Sequence, residues 1–141
     1  MRPSIEEYML YIAKEVSKRA TCSRRAVGAV ITDEVNHILS TGYNGVPKGQ
    51  PHCIDQPCQG VDLPSGYGLD ICKAQHAEVN AIAHCRDLRS ASILYVTVSP
   101  CMSCLKLIAA TNIRRIVAAE IYNATILDYW TSIGGEFIYI K

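Results

Sequence analysis

The chain has 141 residues, 49% of them hydrophobic and 19% charged, with a formal net charge of +1. That length suits one domain with a buried core, and the composition is that of an ordinary globular protein. Lysine and arginine are scattered, which argues against a strong polynucleotide footprint but leaves room for a local basic pocket.

Ser4 is placed to cap a helix carrying Ile5, Tyr8, Met9, Ile12, Ala13 and Val16 at helical spacing, ending near Arg19. Residues 26–31 read as a buried strand, 33–36 as a turn and 37–43 as a returning strand, together a hairpin. Residues 44–70 hold most of the prolines and glycines and show no periodicity. A loop of that length in a compact domain is usually functional. A helix is expected over about 73–86 and a strand over 93–98. Ser99-Pro100-Cys101 then leads into a helix over 101–111, where Asn112 suits a left-handed C-terminal residue. A strand over 113–120, a short helix over 124–132 and a last strand over 136–140 complete the chain. Alternating strands and helices predict an α/β sandwich, and the helix before the last strand permits the final two strands to run parallel.

The chemistry is concentrated in His76-Ala77-Glu78 and Pro100-Cys101-Met102-Ser103-Cys104. Zinc takes four ligands, and a catalytic site keeps one position open. His76, Cys101 and Cys104 supply three ligands, so water can occupy the fourth with its pKa brought down to about 7. Cys101 and Cys104 are three apart, on one face of a helix starting there, and Pro100 suits the first turn. The positive end of that helix favours the thiolates that zinc requires. At a helix N-terminus Glu78 can converge on the same cavity as His76. It would take a proton from the zinc-bound water, protonate the ring nitrogen and then the departing ammonia. His-x-Glu followed by Pro-Cys-x-x-Cys is the signature of the zinc-dependent base deaminases. A lone CxxC is often a structural zinc or redox pair; the joint pattern favours the catalytic reading.

The segments RRAVGAVI (24–31), STGYNGVPKG (40–49), HAEVNAI (76–82) and LYVTVSPCMSCLKLI (94–108) resemble the deoxycytidylate deaminases, within the cytidine deaminase superfamily. The resemblance runs over nearly the whole chain and implies a single zinc domain over 1–141. Its implied fold is a three-layer α-β-α sandwich with a five-stranded mixed sheet, assembled as a homohexamer. The implied reaction is hydrolytic deamination of dCMP to dUMP, with water on zinc attacking C4 of cytosine. It also implies zinc on His76, Cys101 and Cys104, Glu78 as general acid/base, and the backbone at Ala77 reading the pyrimidine edge. Asn44 is the candidate to grip the sugar, although Asn before Gly often serves only as a φ > 0 turn residue. Arg24 and Arg25 suit bidentate phosphate binding, with Lys48, Lys73 and Lys106 as alternatives and solvated charge as the plainer account of each. Tyr122 either covers the pocket or packs in the core.

Activation by dCTP and inhibition by dTTP, known in many members, would use the loop carrying Tyr43, Asn44, Gly45 and Lys48. Its glycines let backbone N–H groups approach phosphates. Four further cysteines, Cys22, Cys53, Cys58 and Cys72, could close a second, structural zinc site found in some members, with His52 able to replace one of them. Cys85 reads as packing, and His37 and His84 as structural or exposed. The turn Thr111-Asn112-Ile113 and the glycine-free segment 87–92 depart from the family pattern without touching the chemistry.

Seven cysteines is an odd, high count. The N-terminal MRPSIEEYML lacks the apolar core of a signal peptide, and no apolar run approaches the ~18 residues that span a bilayer. Metal ligation in a reducing, cytoplasmic compartment is therefore expected over a disulfide framework. Three readings compete. A deaminase acting on RNA or single-stranded DNA would want a basic groove with stacking aromatics, and free cytidine would not need the arginine pair. A zinc-stabilised binding protein without catalysis would have no use for Glu78.

Overall fold

The computed structural model describes residues 1–22, 25–52 and 74–141. Helix α1 (Ile5–Ser17) begins at a capping box. Ser4 Oγ accepts the Glu7 N–H and the Glu7 carboxylate accepts the Ser4 N–H, each at 3.1 Å, satisfying two donors that a helix start leaves orphaned. Strands β1 (Gly28–Thr32) and β2 (Ile38–Tyr43) form the expected hairpin, and Asn36 in its turn takes φ 66°. Then follow α2 (Ala77–Ala83), β3 (Ile93–Val96), α3 (Met102–Ala109), β4 (Arg115–Ala118), α4 (Ala124–Ser132) and β5 (Glu136–Tyr139).

The five strands lie in the order β2-β1-β3-β4-β5. β1 is antiparallel to β2 and β3, while β3, β4 and β5 run parallel, so the sheet is mixed. Alternation along the strands divides the core in two. Ala29, Ile31, Leu94, Val96, Ile116 and Ala118 pack with Ala77, Ala81, Leu105, Ile108 and Trp130 from α2, α3 and α4. Val30, Ile93, Tyr95 and Val117 pack with Met9, Leu10 and Ala13 of α1. The result is the three-layer α-β-α sandwich. Helices α2 and α3 thus share one face, and α3 begins beyond the carboxyl end of β3, where α/β sheets place ligands.

Three local expectations change. The helix expected over 73–86 is shorter: α2 starts at Ala77, gives way at His84, and a 3₁₀ turn, Leu88–Ser90, precedes β3. Asn112 is not left-handed, since Asn36 alone has positive φ among the described non-glycine residues. Thr111 ends α3 instead: its hydroxyl donates to the Ile108 carbonyl at 2.6 Å and accepts the Ile113 N–H at 3.1 Å. Asn112 donates to the Arg89 carbonyl at 2.9 Å, tying this turn to the 3₁₀ segment. Asn44 also lacks positive φ, so it is not the turn residue that Asn before Gly suggests.

Gly42 positions the site. A Cβ there would sit 2.4 Å from the Ala77 carbonyl oxygen and 2.4 Å from the Ala81 nitrogen, so β2 lies directly on the backbone of α2. Backbone cannot rotate away as a side chain can. Gly42→Ala is expected to cost about 3 kcal/mol, at the upper end of overpacking, and to displace Ala77 and Glu78 with the helix. The urea midpoint should fall with an unchanged m-value; an unaltered midpoint would show that the layers yield freely.

Candidate metal centre and active site

His76 is the N-cap of α2, in extended conformation, and Cys101 is the N-cap of α3. Pro100 therefore precedes the cap rather than opening the first turn, as the sequence suggests. Both helix starts face one another across the same face of the sheet. The ligand atoms of His76, Cys101 and Cys104 lie within 4.8 Å of one another. His76 Nδ1 is 3.2 Å from Cys104 Sγ and 3.6 Å from Cys101 Sγ, which makes Nδ1 the nitrogen turned to the sulfurs. Two thiols and an imidazole converging at this spacing fit zinc in chemistry and in number, with one tetrahedral position left over.

The electrostatics agree with that fit. The Cys101 thiol is lowered to about 4, chiefly by a hydrogen bond from Cys104, with the His76 contact adding to it. Cys104, 2% exposed, is pushed up by the same shared proton and by burial. One thiolate thus exists readily and the second needs a cation. The His76 imidazole is raised foremost by its hydrogen bond to Cys101, although Cys104 Sγ lies nearer, because Cys101 is the sulfur that carries the charge.

Glu78 is in the first turn of α2 and only 5% exposed. Burial raises its carboxyl from 4.5 to about 7, opposed by a hydrogen bond from its own backbone N–H and by His76. A carboxyl poised near neutrality is one that can both take and give a proton at working pH. Ala77, between ligand and carboxylate, is fully buried.

Ser99 fixes the approach to Cys101. Its N–H donates to the Glu120 carbonyl at 2.8 Å, and its hydroxyl accepts the Tyr122 N–H at 2.8 Å. The turn before the two cysteines is thereby stitched to the segment after β4, and Tyr122 is brought beside it, half exposed. In the sequence Ser99 is only a neighbour of Pro100; a hydrogen bond to a residue beyond another strand leaves no local signal.

Asn44 is 8% exposed, and its side chain is engaged with the lead into β1. Its Oδ1 accepts the Val27 N–H at 2.8 Å and its Nδ2 donates to the Arg25 carbonyl at 2.5 Å. Among the described residues, one amide hydrogen remains for another acceptor. Arg25 is half-buried and 3.5 Å from the Glu120 carboxylate, near the Ser99 stitch. Tyr43 accepts from Asn80 Nδ2 through its carbonyl at 2.9 Å, fastening the glycine loop to α2. Lys48 and Lys106 are exposed. Arg24, Lys73, Cys53, Cys58 and Cys72 lie outside the described residues, whereas Cys22 is half-buried with a free thiol. Cys85 packs against the helical side of the core, as expected. A cleft of about 240 Å³ lined by Glu34, Ser92, Arg114, Arg115 and Glu136 lies at the opposite ends of the strands, away from this chemistry. No helix of the described residues is long and apolar enough to cross a membrane.

Residues 3–120 match the profile of the cytidine and deoxycytidylate deaminase zinc-binding region. The deoxycytidylate deaminase of Mycobacterium phage D29 is 42% identical over an alignment of 123 positions that covers 82% of this chain and 94% of the phage protein. That of Schizosaccharomyces pombe is 35% identical over an alignment of 126 positions that covers 86% of this chain but 39% of the yeast protein. The dCMP deaminase of cyanophage S-TIM5, solved in complex with dCMP and dUMP, superposes with a TM-score of 0.75 at 27% identity, covering 99% of each chain. With the zinc-binding region matched across most of its length and the ligand triad assembled within it, the chain belongs to the cytidine and deoxycytidylate deaminase family.

Proposed function

We propose that this protein deaminates dCMP to dUMP, releasing ammonia, and that residues 1–141 act as one zinc-dependent domain. The observation that carries the reading is Glu78: a buried, unliganded carboxyl raised to about 7 beside a three-donor metal group. A purely structural zinc site gains nothing from such a group, and burying it costs free energy. Relatives bearing the deoxycytidylate deaminase name support the substrate.

His76, Cys101 and Cys104 would hold the zinc, which when bound makes a nucleophile of water near neutral pH. Glu78 would take one proton from the attacking water and deliver it to the ring nitrogen as the water oxygen bonds to C4, then take the second proton from the new C4 hydroxyl and pass it to the leaving amine. Cleavage of the C–N bond then expels ammonia and leaves the carbonyl. The backbone at Ala77 meets the pyrimidine edge. Asn44, held by Val27 and Arg25, offers its remaining amide hydrogen to the sugar. Arg25, with Arg24 beside it in sequence, is the cation assigned to the phosphate.

The reading extends to regulation and assembly: dCTP activating and dTTP inhibiting through Tyr43, Asn44, Gly45 and Lys48, in an intracellular homohexamer. It also includes a second, structural zinc on Cys22, Cys53, Cys58 and Cys72. Metal analysis giving one zinc per chain would remove that second site, and a dCMP rate indifferent to saturating dTTP would remove the regulation. The test of the central claim is turnover by zinc-loaded protein on dCMP, cytidine and single-stranded DNA side by side. Preference for dCMP is expected; activity confined to the polymer would transfer the protein to the nucleic-acid deaminases.

A further inference from the structure

A histidine that binds zinc usually has its other ring nitrogen held by a carboxylate or carbonyl, which fixes the ring's direction. His76 turns Nδ1 to the sulfurs, and among the described residues no hydrogen bond reaches its Nε2. Something else must aim the ring. On one side the helix does so: the His76 carbonyl accepts the Asn80 N–H at 3.1 Å, the opening bond of α2. On the other side is Gln75, which pairs with Gly45 as an isolated antiparallel bridge. Gly45 N–H donates to the Gln75 carbonyl at 3.0 Å and Gln75 N–H to the Gly45 carbonyl at 2.8 Å. Both peptide groups flanking His76 are thereby tied down.

The bridge has its own backing. The Thr21 N–H donates to the Asn44 carbonyl at 3.1 Å, so the chain after α1 lies behind Gly45. The Thr21 hydroxyl is buried without a hydrogen-bond partner among the described residues, a costly position unless its packing matters. A Cβ at Gly45 would stand 2.7 Å from that Oγ1, closer than real Cβ atoms come. Threonine is stiff at χ1, so the hydroxyl cannot simply swing clear. Glycine at 45 is what lets the loop press between Thr21 and Gln75.

We infer that the Gly45–Gln75 bridge, backed by Thr21, is the positioning device for His76. It aims the metal-binding imidazole through the backbone, in place of a side chain on Nε2. Gly45 and Gln75 are positioning residues, acting on the metal through His76. This inference rests on the proposed role of His76 as a zinc ligand.

The test compares wild type, Gly45→Ala, Gly45→Val and the double variant Gly45→Ala/Thr21→Ala. Zinc release to a chromogenic chelator and the visible spectrum of the cobalt-substituted protein are read for each, together with the melting temperature of the metal-free form. Gly45→Ala is expected to release zinc about 10-fold faster, the loss typical when a ligand's outer partner is removed, with an altered cobalt spectrum. Gly45→Val is expected to release it faster still. Removing the hydroxyl in the double variant should restore both signals towards wild type, since the Thr21 Cβ is 3.8 Å from where the methyl of an alanine at 45 would stand. Wild-type release and spectrum in Gly45→Val would overturn the inference. So would a Gly45→Ala defect that Thr21→Ala leaves unrepaired, including one caused by misfolding. None of these readouts uses turnover. A wild-type protein inert on dCMP would sink the functional reading and leave this comparison standing.

Discussion

Glu78→Gln is expected to lower dCMP turnover by about 10²- to 10⁴-fold while the protein keeps its zinc. Glutamine has the size and shape of the buried carboxyl, so the first turn of α2 and the neighbouring Ala77 need not move. What disappears is the ability to accept and return a proton. The same substitution should act on stability with opposite sign. Burial raises the folded-state carboxyl from 4.5 to about 7, so the folded protein prefers Glu78 protonated. Such a group contributes its full share of stability below about 4.5, and loses that share as pH rises through about 7. The loss is about 3 kcal/mol, the free energy of moving a carboxyl from 4.5 to about 7. Metal-free Glu78→Gln should therefore melt above metal-free wild type at pH 7.5, and the gap should close by pH 4.5. Retained turnover would refute the proton-transfer role. Equal melting at pH 7.5 would refute the buried, raised carboxyl.

The parts of the site that the sequence disclosed are those written at short range. His76 and Glu78 are two apart, Cys101 and Cys104 three apart, and each pair is positioned by one helix start. The chemistry of the residue types then limits what they can do together. The strands were legible because apolar runs such as 93–98 have few other uses, and the final parallel pair followed from the helix before it. Where reading failed, a contact between distant residues was decisive. Thr111 overrides Asn112 at the end of α3 by bonding its own turn on both sides. For Asn44 the turn role offered as the plainer alternative gives way to hydrogen bonds with Val27 and Arg25, which fold back from another segment and leave one amide hydrogen over among the described residues. The sequence reads the glycines of this loop as openings for phosphates, whereas Gly42 and Gly45 are close-approach sites within the fold, against the α2 backbone and Thr21, which only those distant neighbours reveal. Gln75 carries no motif signal at all, since its role uses only its peptide groups.

Stripping the metal with a chelator is expected to abolish turnover and lower the melting temperature, and adding zinc back should release at least one proton per catalytic site at neutral pH. The reason is that two sulfurs share one proton. Cys101, lowered to about 4, is already a thiolate at pH 7, whereas Cys104 is held as a thiol by that neighbouring charge and by burial. Zinc requires both as thiolates, so loading the site must expel the Cys104 proton. Affinity must consequently weaken as pH falls, adding a metal-dependent component to acid denaturation. Zinc at a thousandfold excess over its dissociation constant stabilises the folded state by about 4 kcal/mol, and the chelator withdraws that amount. Calorimetric titrations in two buffers of different ionisation enthalpy measure the proton directly. Observed heats that differ between buffers, by one proton's worth or more, match the shared-proton pair. Identical heats would mean that Cys104 is already ionised before the metal arrives. The cysteine pair would then be a preformed dianion beside a neutral imidazole, since an imidazolium at His76 would itself have to give up a proton to the buffer on binding zinc, and the shared-proton account would be wrong.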